Sequence, residues 1–479
     1  MRETSPAWPA SRRPRSETKR TESVWGGPRL AFAAILGAAA ALRIVGIAYG
    51  RPFPLFSPDE QSIVPRAWHM VHGGGLDPHW FDYPSLLLYL LAPFQAFEGS
   101  PSYLAGRLVV LVLALGAVAA AWWLGSRAYG GPAGAVAAAL VAVETTEVAY
   151  SRMAVTDVPL TLAVAVSLAL LVSGRIELGG LVAGLAVSIK YPGIFLLVPL
   201  AVAGWRQPRR LAIGLGLALA GFCATSPFFV AHLGSAVGDA YRVQKLAHEG
   251  WLGFEHDHVA PIAFVARLWH GVGPALIVCV IGLVVALVQR RRADLILGSF
   301  VVVYFLDLCT LGAHFDRYVL PLLPALGALA GRMRGLAPVT LLLLVVPLTW
   351  SVRDARTLTK TDTRVVAHRW IERYLPHGAR LATDSSLPPF AGFRMLKLAL
   401  PLPQEDHADP NRDVGRLRRQ GIRYAVVTGA VADRVLAARK DYPRETRFYE
   451  SLRGTKRVFY VAPGGRYAGP WVAVYHFSS

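Results

Sequence analysis

Eleven apolar runs separated by short polar breaks, with arginine clusters at alternate breaks, constrain this chain more than any motif does. The runs lie at 30–49, 104–124, 132–149, 158–172, 178–189, 193–205, 211–231, 272–288, 295–311, 319–330 and 336–350. A hydrocarbon core needs roughly 20 apolar residues per helix, so the shorter runs must extend into their polar flanks. With 54% hydrophobic and 17% charged residues, the chain reads as a polytopic membrane protein rather than a soluble one. The formal charge of +19 is dispersed in clusters between apolar runs, which argues against a nucleic-acid partner. Cys223, Cys279 and Cys309 all fall within apolar runs, so neither a disulfide framework nor a cysteine zinc site is indicated.

Parity orients the runs. With the N-terminus inside, the clusters at 12–20, 206–210 and 290–292, together with Arg127, Arg175, Arg332 and Arg334, all fall on the cytoplasmic side. The charge-free stretch 84–97 would invert every later loop if it crossed the membrane, so it reads as a surface helix. Lys190-Tyr191-Pro192-Gly193 interrupts 178–205, giving two helices that meet outside. Residues 1–25 read as a disordered cytoplasmic tail, because 1–22 are rich in Arg, Pro and Ser and the following run lacks a cleavage signature.

The expected fold is therefore mostly α. Residues 26–351 form a membrane bundle of about eleven spans with interfacial helices in the first outer loop, and 352–479 form a small extracytoplasmic α/β domain. In that domain the pattern predicts helices over 363–374 and 431–439 and strands over 380–383, 423–428 and 471–477. No G-x-G-x-x-G, P-loop or internal repeat occurs.

This topology gathers charged groups on the outer face, where lipid makes unpaired charge costly. Asp59 and Glu60, just after Pro58, are candidates for accepting an acceptor proton or holding a divalent cation, although an acidic pair in a loop is more often only solvated surface. Asp157 opens a helix, where an anion is favoured by the helix dipole whether or not it has a function. Arg152 is either its ion-pair partner or a phosphate ligand. Lys190 at a helix end either snorkels or contacts a lipid phosphate. His248, His256 and His258 with Glu255 and Asp257 are the densest metal-type cluster, though a solvated loop fits their spacing better than zinc. Arg242 and Lys245 in the same stretch could attract an anionic head group. Of His314 and Arg317, the guanidinium is the better oxyanion ligand, its alternative being an interfacial anchor beside Tyr318.

The order of Asp59-Glu60, Phe-Asp-Tyr-Pro-Ser-Leu-Leu-Leu-Tyr at 81–89, Arg107, Ser-Arg-Met-Ala-Val-Thr-Asp at 151–157, Ile-Lys-Tyr-Pro-Gly at 189–193 and Arg-Tyr-Val-Leu-Pro-Leu-Leu-Pro at 317–324 resembles the GT-C membrane glycosyltransferases of the protein O-mannosyltransferase and aminoarabinose-transferase type. The resemblance implies a bacterial plasma-membrane enzyme that moves a sugar, with inversion, from a polyprenyl-phosphate donor to a protein, lipid or cell-envelope glycan. It implies Asp59 as principal carboxylate, Asp157 and Glu60 as further acidic site residues, and Lys190 and Arg317 as phosphate ligands. Tyr83, Tyr191, Arg152, His314 and Arg242 are the remaining expected substrate contacts. Cofactor use is left open between none and a divalent cation, with Glu60, His256 and His258 as the metal candidates. Phe-Asp-Tyr-Pro-Ser stands where the family more often has twin prolines. The alternative from a different class is a transporter or flippase of polyprenyl-linked sugars.

Overall fold

The computed structural model describes residues 28–403 and 408–477, so the tail expected at 1–25 lies outside the described residues. Every apolar run is occupied by helix. The first part comprises α1 (Pro28–Ile44), α2 (Pro58–His69), α3 (Leu86–Gln95), α4 (Tyr103–Tyr129), α5 (Gly131–Val143), α6 (Thr145–Tyr150), α7 (Asp157–Val172), α8 (Ile176–Ile189), α9 (Leu197–Gly204) and α10 (Pro208–Thr225). It continues with α11 (Pro227–Ala231), α12 (Leu233–Glu249), α13 (Ala260–Val272), α14 (Ala275–Gln289), α15 (Arg292–Leu308), α16 (Leu323–Gly331), α17 (Ala337–Leu343) and α18 (Val345–Thr357). Among the described residues, Tyr103–Tyr129 and Arg334–Thr357 are long and apolar enough to cross a membrane by length and composition, and the other apolar helices are shorter.

Small residues let these helices approach closely. A Cβ on Gly180 would fall 2.1 Å from the Gly214 carbonyl oxygen, and one on Gly184 would fall 1.9 Å from that of Ala218. Helices α8 and α10 therefore meet backbone to backbone, the packing that dispersion forces favour where water does not drive association.

Two local features place the site. Ser57 caps α2, accepting the Asp59 backbone N–H at 3.2 Å, and Pro58 occupies the first turn, so the acidic pair sits at a helix N-terminus. Lys190 ends α8 in an extended conformation, and a 3-10 turn at Tyr191–Leu196 leads into α9, as the Pro-Gly break requires. Helix α3 buries Leu87, Leu88 and Leu91 and exposes Phe94, in the place where the sequence predicts a surface helix. Two expectations change. The run at 132–149 is divided at Glu144 into α5 and α6, and the stretch of Arg242, Lys245 and His248, which reads as loop, is helical as far as Glu249.

The C-terminal part is a five-stranded mixed sheet of order β3-β2-β4-β7-β5. Its strands are β2 (Arg380–Thr383), β3 (Arg394–Lys397), β4 (Tyr424–Thr428), β5 (Lys456–Val461) and β7 (Val472–His476), and β1 (Thr361–Asp362) pairs separately with β6 (Tyr467–Ala468). Helices α19 (Thr363–Tyr374), α20 (Val414–Arg419), α21 (Gly429–Ala437) and α22 (Pro443–Leu452) complete it. The segment after α12 is built into this domain: Leu252 is buried in its core, Glu255 accepts a 2.7 Å hydrogen bond from the Tyr442 hydroxyl, and Arg434 donates to the Leu252 carbonyl at 3.2 Å.

Candidate active site

Four charged side chains from four separate segments converge. Arg317 lies in a 3-10 turn over Asp316–Leu322 that leads into α16, and its Nη1 donates to Asp59 Oδ2 at 2.6 Å. Tyr83 donates to the same oxygen at 3.3 Å. Lys190 Nζ lies 2.5 Å from Asp157 Oδ1, and Arg317 Nε lies 3.9 Å from Asp157 Oδ2. The four groups form one alternating chain, Asp59–Arg317–Asp157–Lys190, of zero formal charge.

The chain is sunk in the protein but open at one end. The Asp59 side chain keeps 21% of its accessible surface, whereas that of Asp157 keeps 2%. Asp59 Oδ1 has no hydrogen-bond partner among the described residues, leaving a carboxylate oxygen able to take a proton. Arg317 Nε and Asp157 Oδ2 are buried without a hydrogen bond, so the cation retains an uncommitted donor. Burial pulls the Lys190 ammonium below its ordinary value, with Asp157 opposing the fall and Arg317 adding to it. Burial would likewise depress the Arg317 guanidinium, but the carboxylates of Asp59 and Asp157 outweigh it and hold the group protonated. The Tyr83 phenol is driven up by burial and then by Asp59, so it remains a donor.

Beside these groups runs a narrow cavity of about 60 Å³, lined by Asp82, Tyr83, Lys190, Tyr191, Asp307 and Tyr318 among others. The Tyr318 ring lies 4.8 Å from Lys190 Nζ. Tyr191 donates to the Phe81 carbonyl at 2.6 Å, tying the Lys190 turn to the loop that carries Tyr83. Tyr318 and Asp307 carried no signal as cavity residues, because one belongs to an interfacial pattern and the other closes an apolar helix.

Other expected residues lie elsewhere. Glu60 is wholly buried, holds Arg107 through two 2.8 Å hydrogen bonds and accepts the Ala154 N–H at 2.9 Å, so it is neither at the cavity nor available to a metal. Arg152 is equally buried, donates to the Leu42 carbonyl and makes no ion pair with Asp157. His314 joins Asp257 at 3.2 Å, and Asp257 also binds Arg267. Arg242 pairs with Asp82 and Asp239 on α12, one step removed from the cavity. His256 bonds the Ala437 carbonyl and His258 is exposed, while Glu255 is committed to Tyr442, so these metal candidates are not brought together.

A different metal-type group occurs instead. One ligand atom each from Asp77, His79 and His232 lies within 4.8 Å of the others, the only such set among the described residues. The separation of 155 positions between Asp77 and His232 hid it from a reading by spacing. An oxygen and two imidazoles suit zinc with one position open.

Residues 80–310 match the model of glycosyltransferase family 87, a span that includes Tyr83, Asp157 and Lys190 but not Asp59 or Arg317. No curated protein matches the sequence. Among solved structures, the fold is similar to that of ArnT from Cupriavidus metallidurans in the apo state, at 15% identity, TM-score 0.57, and coverage of 93% of this chain and 97% of that one. The same values hold for ArnT bound to undecaprenyl phosphate. The archaeal oligosaccharyltransferase AglB from Archaeoglobus fulgidus, in complex with an inhibitory peptide and a dolichol-phosphate, matches at 12% identity and TM-score 0.54, covering 91% of this chain and 73% of that one. At these identities the likeness is one of fold, the GT-C fold.

Proposed function

We propose that this glycosyltransferase moves a sugar from a polyprenyl-phosphate carrier to a protein, lipid or cell-envelope glycan at the outer face of a bacterial plasma membrane. The observation that carries the reading is the alternating chain Asp59–Arg317–Asp157–Lys190 beside a cavity, with Asp59 Oδ1 uncommitted. The family match favours group transfer over the transporter alternative. Undecaprenyl phosphate in ArnT and dolichol-phosphate in AglB point to a donor of this kind.

In this reading the eleven helical runs span the bilayer with the N-terminus inside, and residues 352–479 lie outside. Lys190 and Arg317 bind the donor phosphate through charge-assisted hydrogen bonds. Asp59 Oδ1 takes the proton of the acceptor hydroxyl or amine as that atom attacks the anomeric carbon from the face opposite the phosphate. The bond between the anomeric carbon and the phosphate oxygen breaks, and the lipid phosphate leaves with the electron pair, inverting the centre. Protonation of Asp59 removes the negative charge that holds Arg317, so the site becomes net positive as the phosphate gains charge. Fixed cations that strengthen their hold in the transition state lower the barrier. Asp157 keeps Lys190 and Arg317 aligned. Asp77, His79 and His232 would hold a divalent cation, which would brace the loop before Tyr83.

The test is transfer from a lipid-linked sugar donor by the Asp59→Asn protein. Folded protein with transfer abolished supports the reading, and turnover at the wild-type rate sinks it.

A further inference from the structure

The C-terminal domain contains a cavity of about 180 Å³, none of whose lining residues belongs to the Asp59 chain. Its construction begins at the edge of the sheet. Along β7, Ala473 and Tyr475 point to one side by the two-residue period of a strand. Their partners on β5 are Tyr460 and Arg457, and a bulge between Arg457 and Phe459 adds one residue to β5. That extra residue is why Arg457 and Tyr460, three positions apart, share the side of Tyr475. Tyr449 of α22 and Arg453 just beyond it close the cavity from above, and Trp471 precedes β7 in its wall.

The polar ends of the inner rings are already engaged. Trp471 Nε1 donates to Asp433 at 2.9 Å, and the Tyr449 hydroxyl donates to Asp384 at 3.0 Å while accepting from Arg412 at 2.7 Å. The rings are thus fixed, and apolar faces line the space. Tyr460 and Trp471 have centroids 6.3 Å apart at 34°, and the Tyr460 ring is half exposed. Arg457 lies 4.7 Å over the Tyr460 ring, and neither Arg453 nor Arg457 has a carboxylate partner among the described residues.

Fixed aromatic faces and free guanidinium groups suit a ligand with an apolar face, a polar rim and a negative charge. A pyranose ring bearing a carboxylate has all three: its C–H face packs on an aromatic ring and its carboxylate matches the planar donors of arginine. The size agrees, since the cavity is smaller than the roughly 300–1,000 Å³ of sites for drug-sized ligands. The surroundings agree as well, because residues 439–457 carry seven basic and three acidic side chains, a net of +4.

We propose that this cavity binds one acidic sugar unit of an anionic glycan, separately from the transfer site. The test uses the full chain in lipid nanodiscs, without donor, and D-glucuronate, D-glucose and inorganic phosphate as probes read by saturation-transfer NMR. Saturable glucuronate binding is expected, weakened at least tenfold by Trp471→Ala and by the exposed Arg457→Gln, with glucose at least tenfold weaker than glucuronate. Asp59→Asn retains glucuronate binding, so the outcome is independent of whether the transfer mechanism is right. Absence of saturable glucuronate binding, or binding unaltered by Arg457→Gln in a protein of unchanged thermal stability, overturns the proposal. Equal binding of glucose removes its charged component and also overturns it, as does phosphate competing as well as glucuronate.

Discussion

Arg317 Nη1 and Asp59 Oδ2, separated by 258 positions in sequence, lie 2.6 Å apart. The pair joins the residue proposed to receive the acceptor proton to the residue proposed to hold the leaving phosphate. Neither charge can change without altering the field at the other.

Replacing Asp59 with Asn keeps the size of the side chain and removes its basicity. A positioned general base contributes about 10²–10⁴ in rate. The transfer rate is expected to fall by at least that factor, while gel filtration in detergent shows the wild-type profile.

Arg317→Lys and Arg317→Ala separate charge from geometry. The lysine variant keeps the charge but cannot reach Asp59 and Asp157 together through a planar group, so intermediate activity is expected and the alanine variant falls further. Steady-state kinetics over a range of donor concentrations measures this, and equal activity of the two variants would contradict the role given to the guanidinium.

Glu60 and Arg107 form a buried ion pair. Removing one partner leaves the other charge stranded, at a cost of about 3–5 kcal/mol. Glu60→Gln and Arg107→Met are each expected to lower the thermal unfolding temperature markedly, whereas the apolar double variant Glu60→Leu with Arg107→Met regains much of the loss. Activity per folded molecule in the double variant distinguishes a structural pair from a catalytic one.

Tyr442→Phe deletes the hydrogen bond to Glu255 with little change in packing. A net loss of about 1 kcal/mol is expected from one such bond. Its readout is faster limited proteolysis within 250–258, and cleavage at the wild-type rate would show that this contact does not hold the segment.

Zinc in large excess over its dissociation constant is expected to raise the unfolding temperature of the wild-type protein, since a ligand that binds only the folded state stabilises it by about 2.7 kcal/mol at 100 times that constant. His232→Ala should abolish the shift without affecting the response to lipid phosphate. An undiminished shift in that variant would place the metal elsewhere.

Apolar patterning made the helices legible because a run long enough to be buried has few alternatives to helix. The break at Lys190 was equally legible, since Pro192 and Gly193 cannot continue α8 unperturbed. In the C-terminal domain, helix 363–374 and strand 380–383 occur at the expected bounds. Helix α12 was obscured by its charged residues, most of them exposed, which look like loop in a one-dimensional reading. The candidate site was readable only in part. Charge type and the expected side of the membrane make Arg317 a candidate oxyanion ligand, but Arg152 has the same credentials and is locked against the Leu42 carbonyl. Nothing in the spacing distinguishes them, because contacts across 110 or 258 positions are set by helix packing.

The contrast between Asp59 and Glu60 has a consequence for how helix phase is controlled. Successive residues on an α-helix diverge by about 100°, as 3.6 residues complete a turn. One step therefore carries a carboxylate from the part-exposed charged chain into the protein interior. By binding both Arg107 and the Ala154 N–H, Glu60 works as an indexing pin that stops α2 from rotating about its axis. The neighbouring side chain inherits that fixed azimuth, so the aim of Asp59 is set by a residue facing away from it.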